Sequence, residues 1–159
     1  MASLSDQSSE AQRWLAFAEE DLAYGRLGMA SFPRAASWSF QQAAEKALRS
    51  MLILKEQTPR RTHDLLALFN SVVALSDDWE GLRSDVLRLA EIAASSRYPD
   101  DLSPIENSEI ERFAESAQNI VAHAREAIGI CAQRGQPEVL RDVLAKVPDV
   151  PPVPGDELR

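Results

Sequence analysis

Residues 33–54 read PRAASWSFQQAAEKALRSMLIL and carry the clearest helical pattern in the chain. Pro33 suits the first turn of a helix, where the missing N–H would have had no partner. Apolar residues then recur every three or four positions in two adjacent lines, formed by Ala36, Phe40, Ala43, Ala47, Met51 and Leu54 and by Ala44, Leu48 and Leu52. A face this broad indicates a helix in the middle of a bundle.

A helix with the same period precedes this segment. It is predicted to begin near Ser9, because Ser9 and Gln12 have the spacing of a capping box. Its apolar stripe is formed by Leu15, Ala18, Leu22, Gly25 and Met29, and Trp14, Phe17 and Tyr24 are expected to widen the same face.

Three further helices are predicted after the central one. Thr58-Pro59 should end the central helix, and Thr62 is a candidate cap for a third helix that begins at about Leu65. A fourth follows Ser76-Asp77-Asp78 and must stop before Pro99. A last long helix is expected from about Asn107 towards Gly135.

These segments predict an all-α protein, an up-and-down antiparallel helical bundle of four principal helices plus one or two short helices. Residues 1–134 should form the bundle, and residues 135–159 a short helix opening at Pro137 and a proline-rich tail. The 159-residue chain is the size of one domain.

Composition narrows the function. The formal charge of −8 disfavours strong non-specific binding to DNA or to an anionic membrane, although a local basic site is compatible with it. The single cysteine, Cys131, cannot form an internal disulfide, and the N-terminus lacks a secretion signal, so a cytoplasmic protein is expected. We expect no metal and no cofactor, because metal-ligand motifs and phosphate-binding glycine loops are missing.

Each of the two histidines has a functional and a structural interpretation. His63 stands beside Asp64 and close to Arg60 and Arg61. An imidazole next to a carboxylate can act as an acid, a base or a phosphate donor, but a helix cap explains the same residues and is the favoured interpretation. His123 lies next to an apolar stripe in the last helix and is expected to be a packing or interface residue.

The turn Arg97-Tyr98-Pro99-Asp100 combines a cation, a phenol and a carboxylate at the end of a helix. Arg97 could bind a phosphate with two hydrogen bonds, and Tyr98 could stack on a base. Equally, Arg97 could pair with Asp100 while Pro99 stops the helix and Tyr98 covers the core. The residues alone do not separate these alternatives.

Four segments taken together resemble a known family. They are Ala18-Glu19-Glu20-Asp21-Leu22, the run from Phe40 to Leu48, Thr62-His63-Asp64-Leu65 and Arg97-Tyr98-Pro99-Asp100. In this order they are similar to the HEPN domain of bacteria and archaea over about residues 10–130.

The resemblance implies a bundle of four to five helices that is commonly dimeric and often encoded beside a small nucleotidyltransferase as a toxin and antitoxin pair. Many members cleave RNA with an arginine followed, after four to six residues, by a histidine, the two acting across the dimer interface. Arg97 matches that arginine. The histidine is missing, because Leu102, Ser103 and Pro104 occupy the expected positions and the next histidine is His123.

A binding module that forms a homodimer is therefore the leading prediction, with a nucleotide, an RNA phosphate or a nucleotidyltransferase as its partner. The predicted ligand-binding residues are Arg97, Tyr98, Asp100, Thr62, His63 and Lys46. An enzyme is disfavoured, because without the histidine no obvious group moves the proton of the attacking 2′-hydroxyl. The alternatives are a metal-independent ribonuclease toxin, with Arg97 and His63 as catalytic candidates, and a purely structural dimerisation module.

Overall fold

A computed structural model describes residues 4–59, 61–95 and 104–135. It has five α-helices, which are α1 Leu4–Gly28, α2 Pro33–Leu54, α3 Leu65–Val73, α4 Arg83–Ser95 and α5 Asn107–Gly135. A 3₁₀ helix, Asp77–Leu82, leads into α4. The described ranges contain no strand, which confirms the predicted all-α fold.

The four longer helices, α1, α2, α4 and α5, run alternately up and down. Glu19 and Arg26 of α1 bond to Arg125 and Gln118 of α5, so these two helices are antiparallel. Asp85 of α4 bonds to Ser116 and Asn119 of α5. Short α3 packs between α2 and α4, and α2 contacts each of the other helices. The predicted bundle and the central place of residues 33–54 are both confirmed.

Close packing of α1 on α2 depends on small residues. Ala36, Ala43, Ala44 and Ala47 are buried along α2. A Cβ atom on Gly25 would lie 2.6 Å from Cε1 of the buried Phe40, so α1 reaches this distance only because Gly25 has no side chain. The phenyl ring fills the space that a larger residue at position 25 would need.

Helix α1 begins earlier than predicted and buries less of its aromatic content. It starts at Leu4, not at Ser9, because residues 4–9 contain no glycine or proline to stop it. Trp14 packs partly against the core, but Phe17 and Tyr24 are 53% and 66% exposed. The prediction that these two rings join the core face was wrong. Both lie about a third of a turn from the stripe that contacts α2 and α5.

Helix α2 ends at Leu54, before the predicted stop at Thr58-Pro59. The backbone N–H of Gln57 bonds to the Leu52 carbonyl at 2.9 Å, and that of Glu56 to the Ile53 carbonyl at 3.0 Å. This is the Schellman arrangement, with Glu56 at φ 60° in the position where glycine is usual. Because that glycine is absent, the sequence did not reveal the stop.

Asp64, not Thr62, is the N-cap of α3, since its carboxylate accepts the Ala67 N–H at 3.0 Å. The hydroxyl oxygen of Thr62 accepts the Asp64 N–H at 3.1 Å instead. Both bonds fix the chain immediately before the helix. The predicted helix opening at Pro137 lies outside the described residues.

Two general features of the described residues bear on function. Their helices include none that is both long and apolar enough to span a membrane. They also contain no group of three His, Cys, Asp or Glu side chains that could hold a metal ion.

Candidate functional site

The connection between α2 and α3 folds back along α2 and brings His63 to the middle of that helix. Nδ1 of His63 lies 3.3 Å from Oε1 and 3.4 Å from Oε2 of Glu45. The imidazole is 83% exposed, whereas the side chain of Glu45 is only 6% exposed. A surface histidine is thus held from beneath by a buried carboxylate.

Arg49 secures this carboxylate, one helical turn further along α2. Its Nε and Nη2 atoms lie 3.1 and 3.0 Å from Oε1 of Glu45. Nη2 also donates to the Thr62 carbonyl at 2.6 Å, and the guanidinium carbon lies 5.9 Å from the ring centroid of Trp14. Because a buried carboxylate is costly unless it is paired and hydrogen-bonded, Arg49 is what allows Glu45 to occupy this position.

The contact with Glu45 determines what His63 offers to a ligand. A carboxylate can only accept, so Nδ1 of His63 must be the donor. Nε2 remains as an acceptor in the neutral ring and as a second donor in the protonated ring. The hydrogen bonds around Thr62 and Asp64 hold the backbone on either side of the imidazole. The backbone beside the ring is therefore fixed, Nδ1 is held by Glu45, and most of the ring is exposed to solvent.

The structure places the adjacent residues Thr62 and His63 beside Arg49 and Glu45 but gives Lys46 a different partner. The Lys46 ammonium forms an ion pair with Asp21 of α1. This pair ties α1 to α2, whereas Glu45, the preceding residue, faces the α2–α3 connection. The predicted residues Arg97, Tyr98 and Asp100 lie outside the described part of the chain, so their place in a site stays a prediction.

A second polar cluster, between α4 and α5, is a packing feature. Ser116 is fully buried, and its hydroxyl lies 2.8 Å from Oδ1 of Asp85 and 2.7 Å from Nη1 of Arg88. Asn119 donates to Oδ2 of Asp85 at 3.3 Å. These bonds use the polar atoms of one helix to satisfy those of the other, and they fix how the two helices align.

His123 packs against the core, as expected from its place beside an apolar stripe. Its ring meets the buried Trp79 edge to face at a centroid distance of 4.5 Å, and Nε2 lies 3.3 Å from Oδ2 of Asp78. The pKa of Asp78 is below its ordinary value, mainly because of the hydrogen bond from Ser76 and also because of His123.

Sequence reasoning missed Glu45 and Arg49. Their spacing of four residues is that of an ion pair on one helix face, which was the available signal. Nothing in the sequence, however, showed that His63 would return to the level of Glu45, because that contact depends on the path of the α2–α3 connection.

Residues 10–128 match the family model described as the HEPN domain. This match includes most of α1, all of α2 to α4 and most of α5, and covers well over half of the chain, so the protein belongs to the HEPN family. The Glu45–Arg49–His63 cluster lies within the matched residues. No curated protein matches the sequence, and no solved structure does.

Proposed function

We propose that this HEPN-family protein is a binding module for the phosphate group of a nucleotide or of RNA, and that His63 is the residue that contacts the phosphate. The observation that carries the proposal is the bond between the exposed imidazole of His63 and the buried carboxylate of Glu45. A protonated imidazole with Nδ1 engaged by Glu45 donates from Nε2, and a charge-assisted bond to a phosphate oxygen is among the stronger hydrogen bonds in proteins.

Charged residues of both signs surround His63. Arg61 is exposed two residues before His63, and Arg49 balances the charge of Glu45. The exposed Asp64 follows His63 directly, so a phosphate at Nε2 would depend mainly on the imidazole itself. Arg97, with Tyr98 and Asp100, is a second predicted phosphate-binding element. Because the net charge is −8, affinity should depend on these few groups and little on general attraction.

Binding measurements on matched histidine variants test this proposal. His63→Ala should weaken binding of adenosine monophosphate and of a short single-stranded RNA roughly 10-fold or more, the usual effect of losing one charge-assisted hydrogen bond. His123→Ala is the control, because that histidine also bonds to a carboxylate but packs on Trp79. Isothermal titration calorimetry gives both affinities. Unchanged affinity in His63→Ala would reject the assignment of His63.

Arg97→Ala and Tyr98→Ala test the part of the proposal that rests on sequence alone. If both variants bind the nucleotide and the RNA like the wild type, the Arg97-Tyr98-Pro99-Asp100 turn does not belong to the binding site. A nucleotidyltransferase partner and a role in a toxin–antitoxin pair are further proposals from the family resemblance. Growth arrest on expression, relieved by a neighbouring nucleotidyltransferase gene, would support them.

A second candidate function is metal-independent cleavage of RNA. It is favoured by one specific observation, since Glu45 holds Nδ1 of His63 as a donor and leaves Nε2 of the neutral ring free to accept the proton of a 2′-hydroxyl. His63→Ala and Glu45→Gln should then both lower the cleavage rate, measured with a fluorogenic RNA in the presence of a chelator. Equal, background-level rates in wild type and His63→Ala would exclude this activity.

A further inference from the structure

A pocket of about 340 Å³ opens where the C-terminal end of α2, the α2–α3 connection and α3 meet. Its size is near the lower limit of pockets that bind small molecules, which is about 300 Å³. It can therefore hold one small ring system with its substituents. The pocket adjoins the His63 cluster, because Thr62 belongs to both.

The described residues that line this pocket carry no charge. Leu52 and Leu68 are buried and form its apolar floor, and Leu75 is an exposed apolar residue at its edge. Polar groups come from Gln57, Thr58, Thr62 and Ser71, and Ala67 of α3 and Ala74, the residue that follows α3, complete the lining. Such a surface suits a neutral, flat group that has polar atoms along its edge, and none of these described lining residues would balance a phosphate.

The polar side chains of the pocket retain hydrogen-bonding capacity. The side chains of Gln57 and Thr58 have no hydrogen-bond partner within the described residues. The Ser71 hydroxyl donates to the Ala67 carbonyl at 3.0 Å and can still accept. Thr62 accepts from the Asp64 N–H and can still donate. The Gln57 amide offers a donor and an acceptor together, the combination that pairs with the edge of a nucleobase.

Backbone geometry places Gln57 at the pocket. Glu56 adopts a left-handed conformation at φ 60°, which is strained for a residue with a side chain. The resulting turn ties the Gln57 N–H to the carbonyl of Leu52, a floor residue of the pocket. The chain thus leaves α2 by a strained turn and aligns Gln57 and Thr58 beside the apolar floor.

We infer that this pocket binds the base of the nucleotide whose phosphate lies at His63. The inference rests on the proposed function, and it extends the ligand from a phosphate to a whole nucleotide, either free or within an RNA strand. A nucleotide has a neutral heteroaromatic part and an anionic part. The structure has a neutral pocket and an exposed imidazole on neighbouring segments of chain, and Thr62 joins them.

Calorimetric titration of the full chain with ribonucleoside monophosphates and with ribose 5-phosphate tests the inference. The monophosphates should bind roughly 10-fold more tightly than ribose 5-phosphate, because only they bury a base. Ser71→Trp should fill the pocket and abolish this difference while leaving the affinity for ribose 5-phosphate unchanged. Ser84→Trp is the matched control, since Ser84 is exposed on α4 and does not line the pocket.

Gln57→Ala gives an independent test with little risk to folding, because Gln57 is exposed. It should lower the affinity for monophosphates about 3- to 10-fold, as expected for the loss of one hydrogen bond. Titration with a short single-stranded RNA distinguishes the two sources of the nucleotide. Tighter binding of RNA than of any monophosphate would assign the pocket to RNA, and the reverse would assign it to a free nucleotide.

The two proposals fail in different ways. Equal binding of monophosphates and ribose 5-phosphate by the wild type, unaltered by Ser71→Trp, would overturn the base pocket while the phosphate site stands. Loss of base discrimination in Ser71→Trp without any effect of His63→Ala would support the pocket and reject His63 as the phosphate contact. Absence of binding by the wild type to all of these compounds would reject both.

Discussion

His63 and His123 are the only histidines of the chain, and each has a ring nitrogen 3.3 Å from a carboxylate oxygen. The burial of the two partners is reversed. At His63 the imidazole is 83% exposed and the Glu45 carboxylate 6%, whereas at His123 the imidazole is 30% exposed and the Asp78 carboxylate 59%. A nearby carboxylate is therefore not enough to indicate a site. In each pair the more buried group supports the more exposed one, and only the more exposed group is available to a ligand. At the Glu45 pair that group is the imidazole, whereas at the Asp78 pair it is the carboxylate.

The largest expected difference between the two regions concerns stability. Trp79→Ala should lower the free energy of unfolding by roughly 3–5 kcal/mol, because it removes a buried indole from beneath His123. His63→Ala should cost about 1 kcal/mol or less, since Arg49 still satisfies Glu45. Urea denaturation measures both values. Similar losses in the two variants would show that His63 contributes as much to packing as the buried Trp79 does.

The second largest difference in the free energy of unfolding is expected between variants of the two carboxylates, Glu45 and Asp78. Glu45→Ala is expected to lower the free energy of unfolding by about 3 kcal/mol, because it leaves the mostly buried guanidinium of Arg49 without its anion. Asp78→Ala should cost about 0.5 kcal/mol, since an exposed ion pair contributes little. If the two substitutions had equal effects on the urea midpoint, the burial of the carboxylate would not explain how the His63 and His123 clusters differ.

A smaller effect of opposite sign is expected in the connection that carries His63. Glu56→Gly should raise the free energy of unfolding by about 1 kcal/mol or less, because glycine adopts the left-handed conformation without strain, although it also loosens the unfolded chain. Lys55→Gly is the control and should destabilise, since Lys55 has φ −95° and no such strain. Destabilisation by both substitutions would mean that the Glu56 side chain makes contributions beyond its backbone.

The smallest effect should concern the pH dependence of stability, and only at the His123 cluster. The hydrogen bond from Ser76 holds the pKa of Asp78 below its ordinary value, so the ionised carboxylate stabilises the fold at neutral pH. That contribution is lost as the pH falls through the lowered pKa of the folded protein. Thermal unfolding of Asp78→Asn should show a slightly lower midpoint than wild type at about pH 7, and the difference should disappear once the pH is below the lowered pKa of Asp78. Asp77→Asn is the control, and an equal effect there would contradict this origin.

The spacing of apolar residues in the sequence predicted the helices reliably but predicted the residues at which they end poorly. The two apolar lines of residues 33–54 predicted the central helix, and Pro33 predicted its first residue. Its last residue depended on Glu56 accepting a strained conformation, which side-chain types do not reveal. Phe17 and Tyr24 were assigned to the core because an amphipathic stripe has no sharp edge, and only the positions of α2 and α5 define where burial stops.

The candidate site was predictable in part. His63 and Thr62 are recognisable from local chemistry, but the structure joins them to Glu45 and Arg49, which lie on α2 and have no such signal of function in the sequence. Lys46 was predicted to help them and instead pairs with Asp21. Neighbouring positions on a helix point in directions about 100° apart, so Glu45 and Lys46 meet different partners although they are adjacent in sequence.

The sequence by itself determined the all-α bundle, the central helix and the HEPN family. The spacing of apolar residues and the short motifs are local properties, so they can be read without knowing the tertiary structure. Only the tertiary structure decided that His63 is supported by a buried carboxylate while His123 packs on an indole. The physical reason is that both arrangements depend on contacts between residues 18 and 44 or 45 positions apart, and on which partner the surrounding helices exclude from water.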